Sequence, residues 1–240
     1  MGYSMSNEKI LARAKALLAM SQDASSEHEA MIAARRLHSL LAKHNISVLD
    51  LDDNQEEVGE CEFHVNDWPW KRTIGYWVAK LYFCELTYQR TKRNYANYFV
   101  TGTEVNRLFA ESIMKNVFFT IDLASKVESR KLYGKVVSSF VTSFRNGASN
   151  TIALRCNELI DQAKEGTLVD DEGNTLPILS SVYDKYEAEN SAYMEKLDIK
   201  TSKSSIRSLD SKGYTAGAEA GENVQLSRSV QDKSSPKLLE

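Results

Sequence analysis

Proline and glycine are scarce, three and eleven in 240 residues, which argues against a loop-rich all-β fold and for helices. Cysteines stand only at Cys61, Cys84 and Cys156, too few and too scattered for a disulfide framework. No apolar run reaches about 18 residues, so no membrane-spanning segment is expected. The N-terminus has no signal-peptide apolar core, and the expected location is the cytoplasm. Charge of one sign is also missing: 30 Lys and Arg face 33 Asp and Glu, a net charge of −3, which excludes a uniformly basic nucleic-acid coat. There is no His-Glu-x-x-His, no phosphate-binding Gly-x-x-x-x-Gly-Lys-Ser/Thr, no Gly-x-Ser-x-Gly and no dinucleotide fingerprint. What remains is a chain with 42% hydrophobic residues, enough to bury a core, and 26% charged residues.

Ile10, Leu11, Ala14, Leu17 and Leu18 recur at helical spacing behind Ser6, a suitable N-cap. Gln22-Asp23-Ala24-Ser25 interrupts the pattern. Ser26 and Glu29 form a capping box, and Ala30, Ala33, Ala34, Leu37, Leu40 and Leu41 then make a narrow apolar stripe. Lys43 and His44 suit a helix C-terminus, and Asn45 suits its left-handed stop. This predicts helices over 6–21 and 26–44, forming a hairpin module over 6–48. The run Lys9–Ala19, then Ser26-Glu27-His28-Glu29-Ala30, then Leu40–Ser47, resembles the module catalogued as domain of unknown function 2786. That family is common in bacteriophage, prophage and plasmid proteins and implies no established activity. Met20 and Ser21 depart from the alanine usual there.

An acidic linker follows over 49–61: Asp50, Asp52, Asp53, Glu56, Glu57, Glu60 and then Glu62, with no Lys or Arg among them. Residues 62–228 read as the main domain. Glu62–Asn66 reads as a short strand. Pro69 suits the first position of a helix that continues through Ile74, Trp77, Val78 and Leu81 to about residue 83. Cys84–Arg90 and Tyr95–Thr101 alternate like strands across the polar turn Lys92-Arg93-Asn94, a β-hairpin. A helix starts at Gly102-Thr103-Glu104, carrying Val105, Leu108, Phe109, Ile113, Val117 and Ile121. Another is predicted from about 130 to 164. The acidic turn Asp170–Asn174 is expected to join two short strands, a helix spans 180–197, and the Ser- and Lys-rich tract 200–212 reads as mobile. Ser143-Phe144-Arg145-Asn146-Gly147-Ala148, and later Tyr214, Gly217, Gly221, Val224 and Leu226, are similar to the C-terminal module that accompanies the N-terminal hairpin in phage proteins. The glycines there read as points of close helix contact. Residues 229–240 form a tail whose closing Lys237–Glu240 looks vector-derived, as do Met1–Tyr3 ahead of Met5. The expected fold is therefore α+β, predominantly α-helical: an N-terminal helical hairpin and a larger helical domain with a small β-hairpin sheet.

The net charge conceals two basic tracts. Lys71, Arg72, Lys80, Arg90, Lys92 and Arg93 are opposed within their stretch only by Glu85. Lys126, Arg130, Lys131, Lys135 and Arg145 are opposed only by Glu128. Cations neutralise phosphates and aromatic faces stack exposed bases. Tyr88, Arg90, Lys92, Arg93, Tyr95 and Tyr98 on the hairpin, with Arg130, Lys131, Lys135 and Arg145 on the helix, are the candidate nucleic-acid-binding residues. The competing reading has the tyrosines filling the sheet's packed face and the cations blunting an exposed hairpin. Arg145 and Arg155 read as structural ion pairs in preference to phosphate ligands.

Metal chemistry has little to stand on. His28 and His38 lie about 15 Å apart along a helix, and Cys61 with His64 lacks a second ligand pair. Asp198-Ile199-Lys200, with Asp184 and Glu187 upstream, is the one nuclease-like arrangement. No cofactor is expected. The favoured function is a non-enzymatic phage-type accessory protein that binds nucleic acid, single-stranded DNA by preference, in phage transcription, replication or recombination. The alternatives are a module that inhibits or recruits a host enzyme, with a host or phage protein as partner, and a metal-dependent nuclease.

Overall fold

A computed structural model describes Ala16, residues 57–92, 94–168, 175, 178–197 and 210–224. The helical hairpin predicted over 6–48 apart from Ala16, most of the acidic linker, the strands around 170–174 and nearly all of the 200–212 tract lie outside the described residues. Among those described, five helices accompany one three-stranded antiparallel sheet, an α+β fold dominated by helix. The described residues from 57 onward fall into two compact units, one within 56–158 and 184–226, the other within 159–183.

Strand β1 (Gly59–Asn66) begins inside the stretch read as linker, because its alternation already starts there: Glu60, Glu62, His64 and Asn66 are exposed while Phe63 and Val65 are buried. Helix α1 (Pro69–Leu81) has proline at its first position, as its spacing predicts. It buries Trp70, Ile74, Val78 and Leu81. It ends in a Schellman arrangement, with the Phe83 amide donating to Lys80 and the Cys84 amide to Ala79. Phe83, not glycine, takes the left-handed position at φ 59°. Its backbone strain is offset by burial against Tyr186 and by the Asn190 amide, which donates to its carbonyl at 2.9 Å.

Strands β2 (Glu85–Lys92) and β3 (Tyr95–Gly102) form the predicted hairpin, with Asn94 at φ 68° in its turn. The sheet order is β1-β3-β2, so β3 is central. Register fixes two faces. Cys61, Val100 and Leu86 share one row, then Phe63, Tyr98 and Tyr88, then Val65, Ala96 and Arg90; this face meets the helices. The other face carries the rows Glu62–Phe99–Thr87, His64–Asn97–Gln89 and Asn66–Tyr95–Lys92.

Helix α2 (Glu104–Tyr133) leaves β3 through Thr103 and runs back beneath β1. The contacts advance in step. Glu111 meets Cys61, Lys115 lies over Phe63, Phe118 meets Trp70 and Tyr98, and Asp122 meets Arg145. Thirty residues of helix span roughly 45 Å, whereas an eight-residue strand spans about 26 Å. The second half of α2 therefore continues past the end of the sheet that holds the hairpin turn.

One long helix over 130–164 is corrected to two. Helix α2 stops at Gly134, which takes φ 68° and donates its amide to Arg130, and helix α3 starts afresh at Ser138 (Ser138–Glu165). Helix α4 (Ser180–Lys196) matches its predicted span. Helix α5 (Ser211–Glu222) begins within the tract read as mobile, with Asp210 capping the Gly213 amide at 2.8 Å.

The two glycine-containing motifs face one another. An added Cβ on Gly213 or Gly221 would lie 2.7 and 2.8 Å from the Phe140 and Ala148 carbonyl oxygens, and one on Gly217 would run into the Phe144 carbonyl. Gly147 meets the Tyr214 carbonyl in the same way. The Asn150 amide donates to the Tyr214 hydroxyl at 3.0 Å, and the Asp210 amide to the Ser143 hydroxyl at 2.7 Å. Arg155 closes the C-terminal end of α5, donating to the Gly221 and Val224 carbonyls at 2.6 and 2.7 Å. In the other unit, α3 ends at Gly166 (φ 73°), and the Leu179 amide donates to the Ala163 carbonyl at 2.9 Å.

Candidate nucleic-acid interface

The site is built at the turn end of the sheet. Asp67, just past β1, anchors it. Its amide donates to the Asn94 carbonyl in the hairpin turn at 2.8 Å, and its buried carboxylate is gripped by Arg72 from α1. The Tyr98 hydroxyl donates to the same carboxylate at 3.1 Å, and Arg90 stands 3.9 Å away. Burial alone would push the Asp67 carboxyl up. The Arg72 hydrogen bonds and charge, with Tyr98 and Arg90, outweigh that and hold it below the ordinary carboxylate range.

This anchor sorts the three tyrosines. Tyr98 is fully buried, its hydroxyl engaged and its ring packed against Phe63, Tyr88 and Phe118, so no base reaches it. Tyr88 faces the core half-exposed, with the Arg72 guanidinium 4.4 Å from its ring centre covering one face. Tyr95 lies on the open face, 42% exposed. Its ring stacks on His64, with centroids 5.3 Å apart and planes within 4°. The Asn97 side chain links His64 to Glu62, sharing a 2.8 Å bond with His64 Nδ1 and donating to the Glu62 carboxylate. Lys92 shares the Tyr95 row and is exposed, and Arg90 is 68% exposed. Arg93 lies outside the described residues.

The second basic tract arrives at this same end along α2. Arg130, Lys131 and Lys135 are exposed, with Lys131 paired to Glu128 at 2.7 Å. Arg145 is different: its side chain is only 12% exposed, ion-paired to Asp122, with its guanidinium 5.7 Å from the Trp70 ring centre. Lys71 brings the two tracts together. Its ammonium lies 5.5 Å from both the Trp70 and Phe118 ring centres. Burial lowers its pKa; Asp122 counters this, and Arg145 and Lys126 reinforce it.

His64, Trp68 and Phe99 were not among the sequence candidates. Trp68 is 40% exposed beside Asp67, and Phe99 is half-exposed in the central strand of the open face. For His64 and Phe99 the signal is parity: strand alternation puts both on the face opposite Phe63 and Tyr98. Among the described residues, no three His, Cys, Asp or Glu side chains gather to hold a metal. Asp198 and Lys200 lie outside them. The thiol of Cys61 is pushed up to about 11 and that of Cys156 to about 12, chiefly by burial, so neither is a ready thiolate.

Fold and site together define a helical α+β protein with a small sheet, one end of which is basic and carries an exposed aromatic pair. Residues 9–48 match the family model described as a protein of unknown function (DUF2786). No curated protein and no solved structure matches the chain. Among the described residues, no helix is long and apolar enough to cross a membrane.

Proposed function

We propose that this chain is a phage-type accessory protein that binds single-stranded DNA through its basic, tyrosine-flanked β-hairpin, without catalysing a reaction. It would act in phage transcription, replication or recombination in the host cytoplasm. The phage-type part rests on residues 9–48 and on reading the Ser143–Ala148 and Tyr214–Leu226 motifs as the companion module. The observation that carries nucleic-acid binding is the row Asn66–Tyr95–Lys92. An exposed ring, held parallel to His64, stands beside an exposed cation at the end of the sheet where both basic tracts arrive. Stacking tolerates any base, and the cations take up the backbone charge.

The test is fluorescence anisotropy with a labelled oligothymidylate. Binding is expected at low salt, weakened at least tenfold by Arg90→Glu with Lys92→Glu. The slope of log affinity against log salt should become shallower by about 0.7 for each phosphate that the protein no longer neutralises. No binding at low salt overturns the reading.

One observation favours a second reading, a module that inhibits or recruits a host enzyme. Phe119, Leu123 and Val127 make a stripe on α2 at a four-residue spacing, 67%, 49% and 36% exposed. Such a stripe suits an apolar protein partner better than a nucleic acid.

A further inference from the structure

Around Trp70, positive charge exceeds negative. Lys71, Lys126 and Arg145 gather about the single carboxylate of Asp122, which bonds both Lys126 and Arg145. Asp67, the next acid that Lys71 senses, is already committed to Arg72. Two donors here have no acceptor among the described residues: the buried Trp70 indole N–H and the Arg145 Nε–H. Trp70 is only 3% exposed, and Arg145 has used Nη2 on Asp122. Buried donors without acceptors are costly, and crowded like charges add to that cost. A tetrahedral oxyanion would answer both, accepting several hydrogen bonds and neutralising the surplus cations. Lys126 (42% exposed) and Asp122 (35%) leave the cluster open to solvent on that side.

We infer that Trp70, Lys71, Lys126 and Arg145 form an oxyanion subsite that takes a phosphate group. That the phosphate is a backbone phosphodiester rests on the nucleic-acid reading above; the subsite itself does not. Charge selects the ligand: a surplus of cations with N–H donors on rigid helices favours a phosphate over a neutral or cationic group. The Lys71 ammonium lies 5.5 Å from both the Trp70 and the Phe118 ring centres, which fixes where its charge stands in the cluster.

The chain has three tryptophans, so its indole N–H resonances can be followed singly in a nitrogen-15-labelled sample. Trp70→Phe identifies the Trp70 signal by its loss. Titration with inorganic phosphate should shift that signal saturably, whereas chloride at equal ionic strength should not. Lys71→Met should weaken the response at least tenfold. Lys126→Gln, a change at a more exposed side chain, should weaken it severalfold and serves if Lys71→Met does not fold. No saturable shift, or an unchanged response in both variants, overturns the subsite.

An oligothymidylate with hydroxyl ends separates the sources of phosphate. If it moves the same signal and competes with phosphate, the ligand is the backbone. If phosphate titrates but the oligonucleotide does not bind, the subsite stands for free phosphate and the nucleic-acid reading falls. If the oligonucleotide binds through Arg90 and Lys92 while phosphate leaves Trp70 unmoved, the reading stands and the subsite falls.

Discussion

The Arg72 guanidinium holds the Asp67 carboxylate with both Nε and Nη2, at side-chain exposures of 11% and 3%. This pair joins the start of α1 to the hairpin turn, because the Asp67 amide also bonds the Asn94 carbonyl. Removing one partner strands the other charge in the interior, so Asp67→Asn should destabilise the protein by on the order of 3 kcal/mol at neutral pH. The pH dependence has a definite sign. The folded state lowers the Asp67 pKa, so the stabilisation is complete above the ordinary carboxylate range. It is lost as the pH falls through the depressed folded value. The gap in urea midpoint between wild type and Asp67→Asn should therefore be full at pH 7 and narrow progressively as the pH is lowered below the ordinary carboxylate range.

Tyr95 and Tyr98 should separate binding from folding. Tyr95→Ala removes an exposed ring and should weaken single-strand binding by about 1–3 kcal/mol, the usual worth of one base–aromatic stack, with little change in thermal midpoint. Tyr98→Phe removes only the hydroxyl that bonds Asp67. It should lower the thermal midpoint by an amount matching about 1–1.5 kcal/mol and leave the affinity unchanged. Anisotropy and thermal melting on the same samples check both. An affinity loss confined to Tyr98→Phe would invert the assignment.

Much of the fold is legible in the sequence because local signals agree with packing. Pro69, the alternation on either side of Asn94 and the helix start at Glu104 each mark an element that the structure contains. The glycines of the two C-terminal motifs signal close helix contact, and they meet. The break at Gly134 is hidden by the helical pattern on both sides of it, although a glycine in the left-handed region is the ordinary way a helix stops. The site is less legible. Tyr95 and Tyr98 differ by an odd number of residues on one strand, so they cannot share a face; grouping them neglects the period of two. Arg145 reads as an ion-pair residue and is one, but its partner Asp122 lies 23 residues away on another helix, and no local pattern names it. The meeting of Lys71 with Lys126 and Arg145 depends on α2 running back beneath β1, which is a property of topology.

Gly217 tests the helix contact. Its missing side chain lets α5 lie against the Phe144 backbone, and an added methyl would meet a carbonyl that cannot turn aside. Gly217→Ala should cost at least about 1–3 kcal/mol, the usual range for overpacking. Gly134→Ala, where an added Cβ has nothing within 4 Å, should cost only the left-handed backbone penalty of about 1 kcal/mol. Chemical denaturation of the two variants should rank them in that order. Equal losses would mean that α5 shifts to accommodate the methyl.

Lys71 ties stability to binding in opposite directions. Burial disfavours its charged form, Arg145 and Lys126 add repulsion, and its pKa falls below the ordinary lysine value. A lysine that folding makes harder to protonate weakens the folded state wherever it is charged, so the penalty is present at neutral pH. It is relieved as the pH rises through the depressed folded value. Lys71→Met removes the charge that stands 5.5 Å from the Trp70 and Phe118 ring centres and keeps an apolar side chain of similar length. It should raise the thermal midpoint at pH 7, and its advantage over wild type should shrink toward pH 11. Added phosphate should narrow the gap at pH 7 as well, because the ligand stabilises wild type more than the variant. A lower midpoint for Lys71→Met in phosphate-free buffer would show that the cation–ring contacts outweigh the repulsion.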